Sequence, residues 1–265
     1  MWQFKILVKL IISILKIPYR MQRIAGIGKH TTNIEDKSKF LLSNYIEPYQ
    51  KSFNKSDYIL LELGPGDSAT VLNYCLHHEL SYISVDTGFF NKKDINRLDS
   101  SKDIINVSSD YDPNMRINVL TGGSISLERL PSGTINYVFS NAVLEHIWKK
   151  DLKTVLDHTI RVQCPGGIFK HRIDFKDHLS GGLKNQFFPD FLWESRLFRN
   201  ASFYTNRKSS SYFIEFFNQK TKCKMVEFRG FEKQLSYMEI KSGKNNGWKE
   251  KDFLISSADF EGLKP

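Results

Sequence analysis

Short runs of large apolar residues alternate along the chain with amphipathic stretches of helical period. The clearest run is 58–63, Tyr-Ile-Leu-Leu-Glu-Leu, which stops at Gly64-Pro65-Gly66 and has the pattern of a strand buried on both faces of a parallel sheet. Because strands and helices alternate over residues 37–265, we predict one domain with a doubly wound α/β sheet. The other predicted strands lie at 82–85, 117–120, 135–139, 168–175, 224–228 and 253–257, and the predicted helices at 37–47, which Pro48 ends, 69–80, 152–162 and 210–219.

Residues 176–208 interrupt this alternation. They contain Gly181-Gly182 and Pro189, and aromatic residues crowd together between Phe187 and Tyr204. Glycine and proline break regular elements. We therefore predict an aromatic-rich insertion here that lies over the active site.

A basic and apolar helical segment precedes the domain, within residues 1–30. Lys5, Lys9 and Lys16 fall on one stripe of this predicted helix, and the opposite face is apolar. The segment is too short and too charged to span a membrane, and Lys9 interrupts the apolar centre that a secretory signal needs. Two interpretations stay open, because the helix can lie on an anionic membrane or pack its apolar face on the domain. That face consists of Phe4, Leu7, Ile11, Ile14 and Leu15.

Positive charge is concentrated at the N-terminus. The chain has 38 basic and 29 acidic residues, a net charge of +9, and six of the basic residues lie in the first thirty positions, where there is no acid. The remainder has no basic stripe with interleaved aromatics, so we expect no nucleic-acid partner. Cys75, Cys164 and Cys223 are too scattered for a disulfide framework or a zinc site, which favours reduced thiols in the cytoplasm and no bound metal.

The turn after the first strand indicates a nucleotide-like cofactor. Gly64-x-Gly66-x-x-Ala69 stands between a strand and a helix, and Asp86 ends the next strand. Glycines let the backbone approach a ligand, and an acid at that position accepts both ribose hydroxyls, which suits NAD and S-adenosylmethionine (SAM) alike. Glu62 distinguishes between these two cofactors. Its carboxylate would repel a pyrophosphate, whereas it attracts the sulfonium and ammonium groups of SAM.

Several further motifs lie between residues 58 and 175. They are Glu62-Leu-Gly-Pro-Gly-Asp67, Asp86, Leu130-Pro131, Phe139-Ser-Asn-Ala-Val-Leu-Glu-His-Ile147 and Cys164-Pro-Gly-Gly167. Together, in order and spacing, they resemble the class I SAM-dependent methyltransferases. The resemblance implies a seven-stranded sheet, mostly parallel with the last strand antiparallel, and a cofactor that lies across the carboxyl ends of the first strands.

The same resemblance implies a role for each position of the cofactor site. Asn136 departs from the family pattern, since the family often has an acid at that position. We interpret Glu145-His146 as a pair of residues at the start of a helix that supports a loop. By position, the methionine portion is lined by Glu62, Gly64, Pro65 and Gly66, the ribose is held by Asp86, the adenine is approached by Gly123 and Ser124, and further cofactor contacts come from Ser140 and Asn141.

Methyl transfer to a hydroxyl acceptor also needs a base near the carboxyl edge of the sheet. His171, Asp174, Asp177 and His178 are the candidates, where the fifth strand runs into the insertion. Alternation along the strand places His171 and Asp174 on opposite faces. We predict His178 as the base, oriented by Asp177; the alternative is a structural hydrogen-bond network that anchors the insertion. The spacing of these residues fits no closed metal site.

The stretch His171-Arg-Ile-Asp-Phe-Lys-Asp-His178, with Asn206-Arg207 further on, is similar to bacterial methyltransferases of surface-polysaccharide synthesis. We therefore expect SAM-dependent O-methylation of a sugar or glycan acceptor, in the cytoplasm or at the inner face of its membrane. The alternatives are a lipid, quinone or other small-molecule acceptor, an NAD-linked oxidoreductase, or a methyltransferase-like binding protein without turnover. The insertion offers side chains for sugar stacking and anion binding, or for a satellite core under the loop: Phe187, Phe188, Phe191, Trp193, Phe198, Phe203, Tyr204, Arg196, Arg199 and Arg207.

Overall fold

The computed structural model describes residues 2–15, 34–52, 58–66, 69–86 and 104–265. Asp67, the last residue of the glycine-turn motif, and the later part of the N-terminal segment lie outside these residues. The strands are β1 (Ile59–Leu63), β2 (Ser81–Val85), β3 (Ile105–Ser108), β4 (Ile117–Leu120), β5 (Ile135–Asn141), β6 (Gln163–Asp174), β7 (Lys222–Arg229) and β8 (Ser257–Leu263). The α-helices are α1 (Trp2–Ile14), α2 (Ile34–Leu41), α3 (Thr70–His77), α4 (Ser124–Arg129), α5 (Lys149–Val162), α6 (Asp190–Trp193), α7 (Arg196–Arg199), α8 (Ser210–Asn218) and α9 (Tyr237–Asn245).

The strands form one sheet in the order β3-β4-β2-β1-β5-β6-β8-β7. All neighbours from β3 to β6 are parallel, and β8 runs antiparallel to both β6 and β7. The predicted doubly wound sheet with an antiparallel last strand is confirmed. The described residues contain eight strands instead of seven, because the four-residue β3 adds an edge beside β4.

The last strand lies later in the chain than predicted. Residues Glu250–Leu254 form a 3-10 helix, and β8 begins at Ser257. The buried carboxylate of Asp252 causes this turn, because it accepts hydrogen bonds from the Ser210 hydroxyl at 2.6 Å, the Ser211 N–H at 2.8 Å and the Lys249 N–H at 2.8 Å. The turn therefore joins α8 to the end of the sheet.

Apolar residues cover both faces of the sheet, as the unbroken pattern of β1 predicts. Leu61 and Leu63 belong to the core on one face, while Leu60 belongs to the core on the other. The second core is closed partly by residues 34–52. There the predicted helix does not end at Pro48, because α2 continues into a π-helix (Leu42–Ile46) and a 3-10 helix (Glu47–Ser52). Proline is tolerated near the start of a helix, where its missing N–H would have no partner.

The segment 176–208 contains its own small core. Trp193, Phe198, Phe203 and Tyr204 are buried together, and the Trp193 indole N–H donates to the Thr205 carbonyl at 2.7 Å. These side chains form a satellite core and are not available for stacking on a sugar. Two residues of the predicted stacking set are at the surface: Phe187 and Phe191.

One buried arginine joins the ends of this segment. Arg207 donates to the Phe188 carbonyl at 2.6 Å and to the Asn185 carbonyl at 3.2 Å, and its guanidinium pairs with Asp190 and lies over the Trp193 ring. The side chain is therefore occupied within the protein. Of the arginines predicted to hold an anionic glycan, Arg196 is exposed and Arg199 lies over the Trp148 ring.

Helix α1 packs on the satellite core. Ile6 and Ile12 are buried, the Trp2 ring meets Phe187 and Phe188 edge-on at 6.2 Å, and Lys9 Nζ donates to the His178 carbonyl at 3.4 Å. None of the helices in the described residues is long and apolar enough to cross a membrane.

Candidate active site

The sheet brings the predicted cofactor residues to one edge. Leu63 is in register with Val85 on one side and with Ser140 on the other. The Gly64 N–H donates to the Val85 carbonyl at 2.9 Å, and the Gly123 N–H donates to the Asp86 carbonyl at 2.9 Å. The carboxyl ends of β1, β2, β4 and β5 therefore present their residues side by side, where open α/β sheets bind ligands.

The turn after β1 requires glycine for two different reasons. Gly64 has φ +63°, and a Cβ there would lie 2.7 Å from a methyl carbon of Val143, closer than such atoms approach. Gly66 has φ +65° with nothing within 4 Å of an added Cβ. The open space at Gly66 leaves room for a ligand, whereas the close contact at Gly64 holds the turn against the residues after β5.

Glu62 is a buried carboxyl beneath this turn. It accepts a hydrogen bond from the Tyr82 hydroxyl at 2.5 Å. Burial raises the pKa of Glu62 to about 7, and the Tyr82 hydrogen bond opposes that rise. A carboxyl of this kind is held in its ionised form by a nearby cation, because a positive charge offsets the cost of burying the negative one.

Residues after β2 and β4 continue the same edge. Asp86 is buried at the end of β2, and its N–H donates to the Leu120 carbonyl at 2.9 Å. Gly123 has φ +57° and precedes α4, which begins at the exposed Ser124. A carboxylate and a glycine-led helix start thus stand next to the glycine turn, as predicted.

The side chains of Ser140 and Asn141 make protein contacts. The Ser140 hydroxyl is hydrogen-bonded to His171 Nδ1 at 2.8 Å, and the Tyr45 hydroxyl donates to Asn141 Oδ1 at 3.2 Å. Contacts to a cofactor from these two positions therefore fall mainly to the backbone. Tyr45 reaches the site from the π-helix after α2, and no pattern in the sequence indicated that this residue belongs to the site.

The four residues predicted as candidates for the base lie in different environments. His171 lies in the core, where its ring packs against those of Phe169 at 5.3 Å and Phe217 at 5.6 Å. Asp177 is buried and accepts the N–H groups of the turn that follows it, which favours the anchoring role. Its donors are Leu179 at 2.9 Å, Ser180 at 2.5 Å, Gly181 at 3.1 Å and Lys184 at 2.6 Å. The catalytic assignments of both residues stay predictions.

His178 has a neighbour that the sequence did not indicate. Its ring stacks on that of His146, with centroids 5.0 Å apart and planes at 12°. His146 Nδ1 lies 2.9 Å from the Tyr204 carbonyl. A carbonyl only accepts, so Nδ1 carries the proton and Nε2 bears the lone pair of the neutral ring. His146 is exposed, which makes it a second candidate for proton transfer.

Asp174 lies beside a second buried carboxyl, Glu145. The Asp174 N–H donates to Glu145 Oε1 at 3.3 Å. Burial raises the pKa of both side chains, and for Glu145 the charge of Asp174 adds to the effect. Glu145 Oε2 and Asp174 Oδ1 are buried without a hydrogen-bond partner among the described residues. The described residues contain no group of three metal-binding side chains. The two oxygens without a partner can accept hydrogen bonds from hydroxyl or cationic groups.

Comparison with solved structures identifies the fold. A SAM-dependent methyltransferase from Archaeoglobus fulgidus superposes with a TM-score of 0.50 and 13% identity, over 89% of this chain and 96% of that chain. The geranyl diphosphate C-methyltransferase from Streptomyces coelicolor A3(2) superposes with a TM-score of 0.51 and 11% identity, over 87% of this chain and 78% of that chain. The chain has the SAM-dependent methyltransferase fold.

Sequence comparisons add nothing to this result. No protein-family model matches the chain, and no curated protein matches it. Phosphoethanolamine N-methyltransferase 2 from Haemonchus contortus aligns with a TM-score of 0.48 and 14% identity, over 89% of this chain, and this chain spans only 58% of its length. At such identities the likeness establishes the fold, and the reaction has to be inferred from the residues of the site.

The burial of His171 predicts a loss of stability in acid. Burial lowers the pKa of its ring to about 3, while the unfolded chain binds a proton there near pH 6.5. The His171 contribution to the free energy of unfolding therefore falls as the pH drops below 6.5, by about 1.4 kcal/mol per pH unit, or about 2 kcal/mol between pH 6.5 and 5.0. Glu62, whose pKa is raised to about 7, contributes in the opposite direction over the same interval. Denaturant titrations of the wild type and of a His171 variant at the two pH values isolate the His171 contribution as the difference between the two proteins.

The matched variants are His171→Gln and His77→Gln, the second at an exposed position on α3. We expect a smaller acid loss in His171→Gln and the wild-type loss in His77→Gln. Equal pH dependence in all three proteins would show that another group causes the effect.

Proposed function

We propose that the protein is a SAM-dependent methyltransferase, with SAM across the carboxyl ends of β1, β2, β4 and β5. The observation that carries this proposal is the buried Glu62 under a turn of two positive-φ glycines. A sulfonium and an ammonium group add positive charge beside this carboxyl and favour its ionised form. A pyrophosphate would instead place negative charge beside it, which disfavours NAD.

The other edge residues fit the rest of the same cofactor. Asp86 is placed to accept the ribose hydroxyls, and Gly123 with Ser124 offers a close backbone approach to the adenine. Pro65 and Gly66 border the methionine end, while Ser140 and Asn141 supply backbone groups. When bound, the cofactor supplies an electrophilic methyl group. The protein contributes alignment of the acceptor and removal of its proton.

SAM affinity is expected to rise with pH if Glu62 holds the cation. The carboxyl of the free protein is about one-tenth ionised one pH unit below its pKa of about 7 and nine-tenths ionised one unit above it. Because the cation favours the ionised form, affinity increases by up to about tenfold from pH 6 to pH 8. Isothermal titration calorimetry with SAM and with NAD measures both the affinity and the choice of cofactor.

Glu62→Gln is the matched variant, since it keeps the shape of the side chain and removes the charge. We expect weaker SAM binding with no pH dependence. S-adenosylhomocysteine, which lacks the sulfonium charge, is expected to show a smaller pH effect in the wild type. Tight binding of NAD without binding of SAM would overturn the proposal.

For the acceptor, we propose O-methylation of a sugar or polysaccharide intermediate in the cytoplasm. The support is the stacked pair His178 and His146, together with the buried carboxyl of Glu145 and the partly buried carboxyl of Asp174, at the carboxyl edge of β5 and β6. His178 takes the proton as the acceptor oxygen attacks the methyl carbon in line with the departing sulfur. The neighbouring carboxyls accept hydrogen bonds from further hydroxyl groups.

The burial of Trp193, Phe198 and Phe203 reduces the aromatic surface for sugar binding and keeps a lipid, quinone or other small molecule as the alternative acceptor. Incubation with methyl-labelled SAM, followed by separation of glycan, lipid and small-molecule fractions, distinguishes the two. Label in the glycan fraction supports the proposal, and label in another fraction overturns it. Label in none, despite SAM binding, indicates a binding protein without turnover.

A further inference from the structure

The side of helix α1 that packs on the protein is the side that carries Lys9, which the sequence pattern indicated as the solvent-facing side. Trp2, Ile6 and Lys9 lie against the insertion, and the lysine reaches the His178 carbonyl. The apolar face predicted from the sequence points outward instead. Its side chains are between 45% and 68% exposed: Phe4, Leu7, Ile11, Ile14 and Leu15.

This arrangement separates the two interpretations of the segment. Among the residues that the structure describes, contacts with the satellite core are made by the other side of the helix, and the apolar face is exposed. Five large apolar side chains in a row at spacings of three and four residues form a continuous strip. A strip of this kind on a soluble surface marks a site of association.

The charge around the strip favours an anionic lipid surface as its occupant. Lys5 is exposed beside it, and the first acidic residue of the chain is Glu35, after six basic residues. Basic segments are attracted to anionic headgroups. The 13 residues of α1 extend about 20 Å at 1.5 Å per residue, too short to cross the roughly 30 Å hydrocarbon core. The helix therefore fits a position parallel to the surface.

We propose that α1 docks the protein on anionic membranes, with Phe4, Leu7, Ile11, Ile14 and Leu15 inserted at the headgroup boundary and basic side chains among the headgroups. The inner side of the same helix holds the turn that carries His178. Docking therefore brings the candidate acceptor site close to the lipid surface. The surface binds lipid whether or not the site transfers methyl groups.

Vesicle flotation tests the docking without SAM or an acceptor. Full-length protein is mixed with vesicles of phosphatidylcholine alone or of phosphatidylcholine with phosphatidylglycerol. We expect binding to the mixed vesicles, weakened by added NaCl, and little binding to the neutral ones. The double variant Leu7→Gln/Ile11→Gln changes only exposed side chains, and we expect it to bind at least about tenfold more weakly.

The matched control is Ile125→Gln/Leu254→Gln, which removes two similarly exposed apolar side chains elsewhere on the surface. It is expected to bind like the wild type. Equal loss in both double variants, or no binding of the wild type, overturns the proposal. A concentration-dependent dimer that Leu7→Gln/Ile11→Gln dissociates, seen by sedimentation without vesicle binding, overturns it by assigning the strip to a second copy of the chain.

Discussion

Gly64→Ala is expected to reduce SAM affinity by about 100-fold or more, equivalent to about 2.7 kcal/mol. The added Cβ meets two methyl carbons of Val143, at 2.7 and 2.8 Å, and has to be accommodated at φ +63°. The left-handed conformation costs about 1–2 kcal/mol for a residue with a Cβ, and the overpacking about 1–3 kcal/mol. Because the backbone of the turn is the proposed binding surface for SAM, its displacement is expected to affect SAM binding as well as the stability of the fold. Calorimetric titration with SAM measures the loss.

Gly133→Ala is the matched control for this change. Gly133 has φ +70°, and nothing lies within 4 Å of an added Cβ, so the variant carries the same backbone strain without the clash. We expect a modest loss of stability and unchanged SAM affinity. Adding Val143→Ala to Gly64→Ala is expected to recover part of the stability. Wild-type SAM affinity in Gly64→Ala would show that the turn does not form the cofactor surface.

His178→Ala is expected to lower the rate of methyl transfer by about 10²–10⁴-fold, the usual contribution of a general base. The ring lies after β6, stacked on His146, at the edge of the sheet where the acceptor is proposed to bind. SAM affinity is expected to stay unchanged, since His178 is not among the cofactor residues. The rate is measured with labelled SAM and whichever fraction accepts the methyl group.

His77→Ala serves as the matched control, because that ring is exposed on α3, and it is expected to keep full activity. The unfolding curve of His178→Ala shows whether the loss of rate reflects the fold. Near wild-type turnover in His178→Ala, together with a large loss in His146→Ala, would transfer the role of base to His146.

The sequence predicted the elements whose apolar periodicity is long and uninterrupted. Helix α8 was predicted at 210–219 and spans Ser210–Asn218, and β1 lies within the predicted run. The order of strand, glycine turn and helix also placed the cofactor residues at one edge. These features depend on neighbours in the chain, which a pattern records directly.

Features that depend on distant contacts escaped the pattern. The 3-10 helix around Asp252 forms because that carboxylate binds the start of α8, although residues 253–257 were predicted as a strand. His146 and His178 meet only because the insertion returns to the end of β5, where the Tyr204 carbonyl fixes one ring. The direction in which α1 turns its apolar face was likewise decided by the satellite core and not by the helix itself.

The contact between α1 and the insertion also bears on how the protein is handled in the laboratory. Deleting an apolar N-terminal helix is a common way to improve the solubility of a protein. In this chain the trimmed protein would lose Ile6 from the satellite core and the Lys9 contact to the His178 carbonyl. If the proposed activity holds, the shortened protein is expected to be less active even toward water-soluble acceptors, and polar replacements on the outer strip are the safer way to improve solubility.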